Sequence, residues 1–310
     1  MIHRYQKKGL NFVLDVNSGA VHLLDDISYA VSGLIDENMT EKCPESVVEA
    51  LPQYAADDVR EAYGELYELK KAGQLFAEDD YIDVSRYIPV GAPVKALCLH
   101  VAHDCNLRCK YCFASTGDFG QGRKIMPPEV AKKAIDFVIA RSGKRRNIEV
   151  DFFGGEPLMA WDTVTQTVDY ARSIEEQHGK KFRFTITTNG MLLDDEKMDF
   201  INKEMSNVVM SIDGRKEVND RVRKRVDGTG CYDRIVERYK RLAEKRHYQN
   251  YYVRGTFTKY NLDFSNDVFH LYDLGFDQIS VEPVVCDHNE KYALTEKELP
   301  AIFSEYERLA

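Results

Sequence analysis

From Lys95 onward, short apolar runs alternate with longer amphipathic stretches. The runs KALCLHVA, NIEVDFFGG, FRFTITTNG, NVVMSIDG, YYVRGTFTKY and QISVEPVV are rich in β-branched and aromatic residues, and each has the length of a single strand. Between them PPEVAKKAIDFVIARSG, WDTVTQTVDYARSIEEQHG, DDEKMDFINKEM, CYDRIVERYKRLAEKRHY and NLDFSNDVFHLYDLGF carry apolar residues at helical spacing, and TEKELPAIFSEYERLA supplies a sixth helix. Such alternation implies parallel β/α architecture, because parallel neighbours need a crossover long enough to hold a helix. Polar motifs recur where the strands end: CNLRCKYC, GGEP, TTNG, SIDG and VEP. Parallel β/α folds gather ligands at the carboxyl ends of their strands, so these motifs are expected to converge on one mouth.

The first segment has a different rhythm. GLNFVLDV and AVHLLD alternate with period two around an NSG turn. Helical periodicity follows in DISYAVSGLIDE, in PESVVEAL and in AADDVREAYGELYELKKAG, which stops at Gly73. This order predicts a small winged-helix-like α+β domain over residues 1–85, a linker over 86–94 marked by Pro89, Gly91 and Pro93, and the β/α domain over 95–310. Residues 1–85 hold 7 Lys/Arg against 17 Asp/Glu, a net of −10 in a chain whose total is −9. An acidic segment of this kind repels phosphate backbones, so nucleic acid is not its partner. The chain start lacks the pattern of a signal peptide and no run is apolar enough to cross a bilayer, so a cytoplasmic location without a membrane partner is expected.

Seven cysteines make an odd number, and Cys105, Cys109 and Cys112 crowd into eight residues. That pattern suits metal ligation in a reducing compartment better than a disulfide framework. The spacing CX3CX2C lets one loop wrap three thiolates around a cluster and leaves one iron open to chelate a small molecule. A zinc site completed by His100 or His103 is the competing reading, although His103 lies only two residues from Cys105. Packing in a core is disfavoured because Asn106, Arg108 and Lys110 make the loop polar. Cys98, mid-strand, is expected to be a small core residue, and Cys43, Cys231 and Cys286 are unclustered.

Other polar residues have chemistry suited to a ligand. Gly154 and Gly155 allow close backbone approach, and Glu156 can accept hydrogen bonds from a cationic amine. Ser211 and Asp213 offer groups for ribose or carboxylate contacts, and Arg223 can fork onto a carboxylate. Thr188, Asn189 and Gly190 form a turn or a secondary contact. The basic run GRKEVNDRVRKRVDG reads as a solvated surface loop apart from Arg223, and GDFGQGRK as a mobile substrate-facing loop.

CNLRCKYCF, then GGEP, then SIDG on a six-fold β/α chain resembles the radical S-adenosylmethionine (SAM) superfamily from about Lys95 to the end. The resemblance implies a partial (β/α)6 radical SAM barrel with a four-iron, four-sulfur (4Fe-4S) cluster on Cys105, Cys109 and Cys112. It implies reductive cleavage of SAM to a 5'-deoxyadenosyl radical that takes hydrogen from a substrate. Carried onto this sequence, it sets Tyr111 near the adenine, Glu156 of the glycine motif at the methionine amine, and Ser211 with Arg223 at the carboxylate.

Residues 1–85 resemble the recognition element of enzymes that modify ribosomally made peptides, which binds a leader as an added strand. The two parts together resemble a SCIFF-type maturase, which implies a thioether (sactionine) crosslink in a cysteine-rich precursor peptide and a low-potential electron donor. Relatives of that type also carry a SPASM segment with auxiliary clusters, for which these 310 residues hold no ligand set at conventional spacing. A sulfatase-maturing type of protein oxidase and a non-catalytic cluster- or zinc-binding regulator are the alternatives. No residue is assigned as catalytic acid or base, and the sequence specifies neither the oligomeric state nor the reductant.

Overall fold

The computed structural model describes residues 1–79 and 91–310, so part of the expected linker, 86–90, lies outside the described residues. The chain divides into two compact units, Met1–Ala92 and Pro93–Ala310.

In the first unit, β1 (Ile2–Lys7), β2 (Leu10–Asp15) and β3 (Val21–Leu24) form an antiparallel meander in that order. Lys8 and Gly9 both take positive φ, the twist that a two-residue hairpin loop requires. Helices α1 (Asp26–Ser32), α2 (Glu45–Glu49) and α3 (Ala56–Lys71) follow, and Asp25 caps α1 by accepting from Ser28 N–H at 2.7 Å. Val13, Val31, Val59, Tyr63 and Leu66 form the core. Helix α1 stops well short of the periodic stretch DISYAVSGLIDE. The Arg4 guanidinium binds Ser32 Oγ and Tyr29 O there, and a Cβ on Gly33 would meet it at 2.4 Å.

The second unit is built on β4 (Ala96–His103), the short strands β5 (Leu107–Cys109) and β6 (Lys124–Ile125), β7 (Asn147–Gly154), β8 (Lys181–Thr188), β9 (Met205–Ser211), β10 (Arg223–Arg225), β11 (Tyr251–Phe257) and β12 (Ile279–Pro283). Helices α4 (Pro128–Arg141), α5 (Trp161–Glu175), α6 (Asp195–Glu204), α7 (Lys216–Val222), α8 (Tyr232–Lys245), α9 (Ser265–Asp273) and α10 (Leu299–Leu309) connect and follow the strands. Strands β4, β7, β8, β9, β11 and β12 are parallel neighbours in chain order, with β6 antiparallel on the outer side of β4. The six expected strands are therefore present, in a mixed α/β fold whose sheet has β6 and β12 as its edges.

Alternation decides what each sheet face meets. Leu99, Val101, Val150, Phe152, Phe184, Ile186, Val208 and Val253 are buried under the helices. The opposite face carries exposed Cys98, Asp151, Arg183, Tyr252 and Arg254, with Glu149 half-buried among them. Cys98 is thus not a core residue, because it has the parity of the open face. The basic stretch after SIDG also departs from a surface loop. Residues Lys216–Val222 form helix α7, and Arg223–Arg225 pair antiparallel with Leu107–Cys109 as a two-stranded ribbon. Among the described residues no helix is long and apolar enough to cross a membrane.

Candidate functional site

The ribbon brings the cysteine motif to the mouth of the parallel sheet. Cys105 follows β4, Cys109 closes β5 opposite Arg223, and the Cys112 N–H donates to the Cys109 carbonyl at 3.2 Å. Burial pushes the Cys105 and Cys109 thiols up to about 11 and about 12; the Glu156 and Cys112 charges add to the rise at Cys105, and Asp213, Cys105 and Cys112 to that at Cys109, against the opposing charge of Arg223. Metal ligation needs thiolates, so a bound cationic iron core would supply the charge that burial otherwise opposes. The N–H of Leu107 and the side-chain amide of Asn189 point at Cys105 Sγ from 3.4 and 3.5 Å. His100 and His103 pack instead on Phe119, with ring centroids 4.9 and 4.8 Å away. Among the described residues no group of three or more His, Cys, Asp or Glu side chains is arranged to hold a single metal ion.

Gly154, Gly155 and Glu156 lie at the end of β7, packed against the start of the cysteine loop. Gly155 N–H donates to Ala102 O at 2.7 Å and Glu156 N–H to Asp104 O at 2.9 Å. A Cβ on Gly154 would meet Ala102 O at 2.4 Å, and one on Gly155 would meet Asp104 O at 2.2 Å. The close approach that these glycines permit is therefore first of all to the protein's own backbone. Glu156, 1% exposed, accepts from Leu158 N–H at 3.0 Å, Thr188 Oγ1 at 2.8 Å and Asn189 N–H at 2.7 Å. A carboxylate offers about four acceptor positions; three are filled, one by the local Leu158 N–H and two by groups that tie β7 to the end of β8. Burial raises the Glu156 carboxyl pKa despite these bonds.

Tyr111, Asp213 and Arg223 form one network. The Tyr111 hydroxyl lies 2.9 and 2.7 Å from the two Asp213 oxygens and accepts from Arg223 at 3.0 Å. Asp213 also accepts the Thr256 N–H at 3.0 Å. Tyr111 and Asp213 are thereby engaged with each other and with Arg223. Arg223 is 6% exposed, and its Nε is buried without a hydrogen-bond partner. A guanidinium stays charged and an unsatisfied buried donor is costly, so this atom fits an anionic ligand group. Ser211, half-buried, ends β9 beside Arg254 of β11. Three soft sulfur donors beside a buried cation with a spare donor fit an iron–sulfur cluster and the carboxylate of its co-substrate.

Several positioning residues carry no motif. Tyr239 donates to or shares its hydroxyl between Thr188 O at 3.1 Å and Ser211 O at 3.2 Å, joining the ends of β8 and β9. A Cβ on Gly190 would meet that ring at 2.4 Å, which explains the glycine after Asn189. Gly117, at φ +101, leaves the space where a Cβ would lie 2.6 Å from Cys105 Cβ. Buried Cys231 sits behind the network, 3.5 Å from Arg223 O. It caps the start of helix α8 within the core, and no local pattern in the sequence marks it. A groove of about 780 Å³ opens beside the ribbon, lined by Lys110, Tyr260, Asp287, Glu290 and Tyr292.

A family profile described as the Radical SAM superfamily matches residues 99–259, more than half of the chain. The chain belongs to the radical SAM superfamily. Members use a 4Fe-4S cluster and SAM. Among curated relatives, the radical SAM cyclopropyl synthase TigE of Paramaledivibacter caminithermalis is 30% identical over 190 residues, 57% of this chain and 39% of that protein. The serine-type anaerobic sulfatase-maturating enzyme of Bacteroides thetaiotaomicron is 26% identical over 207 residues, 64% of this chain and 48% of that protein. The radical SAM chain thus spans less than half the length of these relatives. The solved structure of anSMEcpe with bound AdoMet superposes with a TM-score of 0.62 at 22% identity, over 70% of this chain and 60% of that one, a likeness of fold.

Proposed function

We propose that this radical SAM protein binds its cluster through Cys105, Cys109 and Cys112 and modifies a ribosomally made, cysteine-rich peptide, forming a thioether crosslink. The observation that carries the cofactor assignment is the ribbon that sets Cys109 directly opposite the buried Arg223. When bound, the cluster supplies the electron that splits the SAM sulfonium and starts hydrogen abstraction from the substrate. Arg223 Nε holds the methionine carboxylate, and Tyr111 with Asp213 keeps the guanidinium in place. Gly154, Gly155 and Glu156 orient the amine end through backbone packed on the cysteine loop, while Asn189 and Ser211 line the strand ends. The open face of the sheet, where Asp151, Arg183 and Arg254 are exposed, receives the substrate.

Residues 1–85 bind the leader of the precursor. Their sheet turns an apolar outer face to solvent, with Tyr5 stacked on Phe12 at 5.1 Å, Val21 59% exposed and Leu23 61% exposed. An extended peptide added beside β3 would continue those rows of side chains. The likeness to the structure of anSMEcpe with bound AdoMet and Cp18Cys peptide favours a peptide substrate. The sulfatase-maturating relatives favour a second reading, oxidation of one residue in a protein chain. Anaerobically reconstituted protein, reduced with SAM and a candidate precursor, should release 5'-deoxyadenosine and yield a peptide lighter by a pair of hydrogens with one thiol fewer. A lighter product with its other thiols free and a new aldehyde would support the second reading and refute the crosslink.

A further inference from the structure

Arg223 aside, the basic run at 221–225 has no part in holding the cofactor. On the ribbon, alternation turns Leu107 and Cys109 to one face and Arg108 to the other, and Lys224 stands directly opposite Arg108. Like charges facing each other across a strand pair destabilise it. The Arg108 guanidinium donates to the carbonyls of Cys105 and Leu107, at 2.5 and 2.7 Å, and so leaves its charge uncompensated. Lys110 and Arg221 flank the Tyr260 ring, 6.0 and 3.9 Å from its centroid. Among the described residues none of these four cations forms an ion pair within 4 Å, although Lys110 shares its groove with Asp287 and Glu290, whereas Arg225 beyond them pairs with Asp227 at 3.2 Å. This concentration of positive charge occurs in a chain of net charge −9, and Cys109 lies between Arg108 and Lys110.

We propose that the outer face of the β5–β10 ribbon, with Arg108, Lys110, Arg221 and Lys224, is the docking surface for an acidic electron-carrier protein that reduces the cluster. The inference rests on the cluster assignment to the same ribbon. The step is a single electron transfer: the carrier is oxidised by one electron, the cluster is reduced by one, and no bond is made or broken. Electron transfer weakens steeply with distance, and the ribbon puts the cationic surface one residue from a ligating sulfur on each side of Cys109. Complementary charge steers such encounters and makes them sensitive to salt.

The test uses the reconstituted full chain and two probes, oxidised flavodoxin and an oxidised two-iron ferredoxin, with affinity measured calorimetrically across a salt series. At low salt the Arg221→Glu/Lys224→Glu double variant is expected to bind the carrier at least about tenfold more weakly, with a shallower salt dependence. Lys203→Glu, a single reversal on exposed α6 with half that charge change, should change affinity by less than about twofold. Iron content and dithionite-driven release of 5'-deoxyadenosine should be unaltered in the double variant. The proposal is overturned if the wild type binds neither carrier, if Lys203→Glu weakens binding as much, or if the double variant loses its iron. Failure of the wild type to cleave SAM with dithionite would instead overturn the cluster assignment.

Discussion

Each unit of this radical SAM protein has a sheet with one face under helices and one face open, and the two open faces have opposite chemistry. The parallel sheet leaves Cys98, Asp151, Arg183 and Arg254 open, whereas the small meander leaves Tyr5, Val21 and Leu23. A polar open face suits substrate backbone and charged cofactor groups, and an apolar one suits a partner that brings its own side chains. The contrast extends to buried carboxylates. For Asp15 in the first unit, burial opposes ionisation but bonds from Ser18 and Ala77 outweigh it and lower the pKa. For Glu156 burial prevails and the pKa is raised.

The largest expected effect separates the cysteines of the two units. Cys105→Ala should abolish SAM cleavage and iron loading, while Cys43→Ala, in the first unit, should leave both intact; equal losses would contradict the ligand assignment. Glycines give the next contrast, read by thermal unfolding. Gly155→Ala should destabilise the protein by about 1–3 kcal/mol because its Cβ has no room beside Asp104 O. Gly64→Ala, within helix α3 and with nothing within 4 Å, should stabilise by about 0.5–1 kcal/mol. Two leucines of the first unit sharpen the difference between faces. Leu66→Ala should cost about 2–5 kcal/mol, whereas Leu23→Ala should stay within about 0.5 kcal/mol in stability yet weaken leader binding measured by fluorescence anisotropy.

The smallest effects are in pH dependence. A lowered folded pKa means that the Asp15 contribution is present above its ordinary value of 3.8 and is lost as pH falls through the lower folded value. The raised pKa of Glu156 means the reverse: its contribution is full below the ordinary value of 4.5 and is lost as pH rises through the folded value. Asp15→Asn should therefore flatten the acid limb of the stability profile and Glu156→Gln the limb above it. Profiles that shift in the same direction would contradict this pairing.

The six strands and the cysteine motif were legible in the sequence because both are local patterns: β-branched runs of strand length, and thiols at fixed spacing. The ribbon was not, since β5 and β10 have only three residues each and like charges at Arg108 and Lys224 disguise a strand pair. Cys98 was misplaced because a strand in a parallel sheet is usually covered on both faces, and here one face is open. The partners of Gly155 and Glu156 lie on other strands, so no local pattern distinguishes protein backbone from a bound ligand. Helix α1 ends where Arg4, 28 residues before Ser32, reaches across from β1.

The proposed chemistry stands most directly on whether Cys105, Cys109 and Cys112 would hold a cluster with one iron free of cysteine. Electron paramagnetic resonance of the reduced, reconstituted protein, recorded with and without SAM, tests it. The account predicts the signal of a reduced 4Fe-4S cluster that changes shape when SAM is added, because the co-substrate binds the iron that no cysteine holds. A signal indifferent to SAM, or colourless protein with a single zinc per chain, would contradict it.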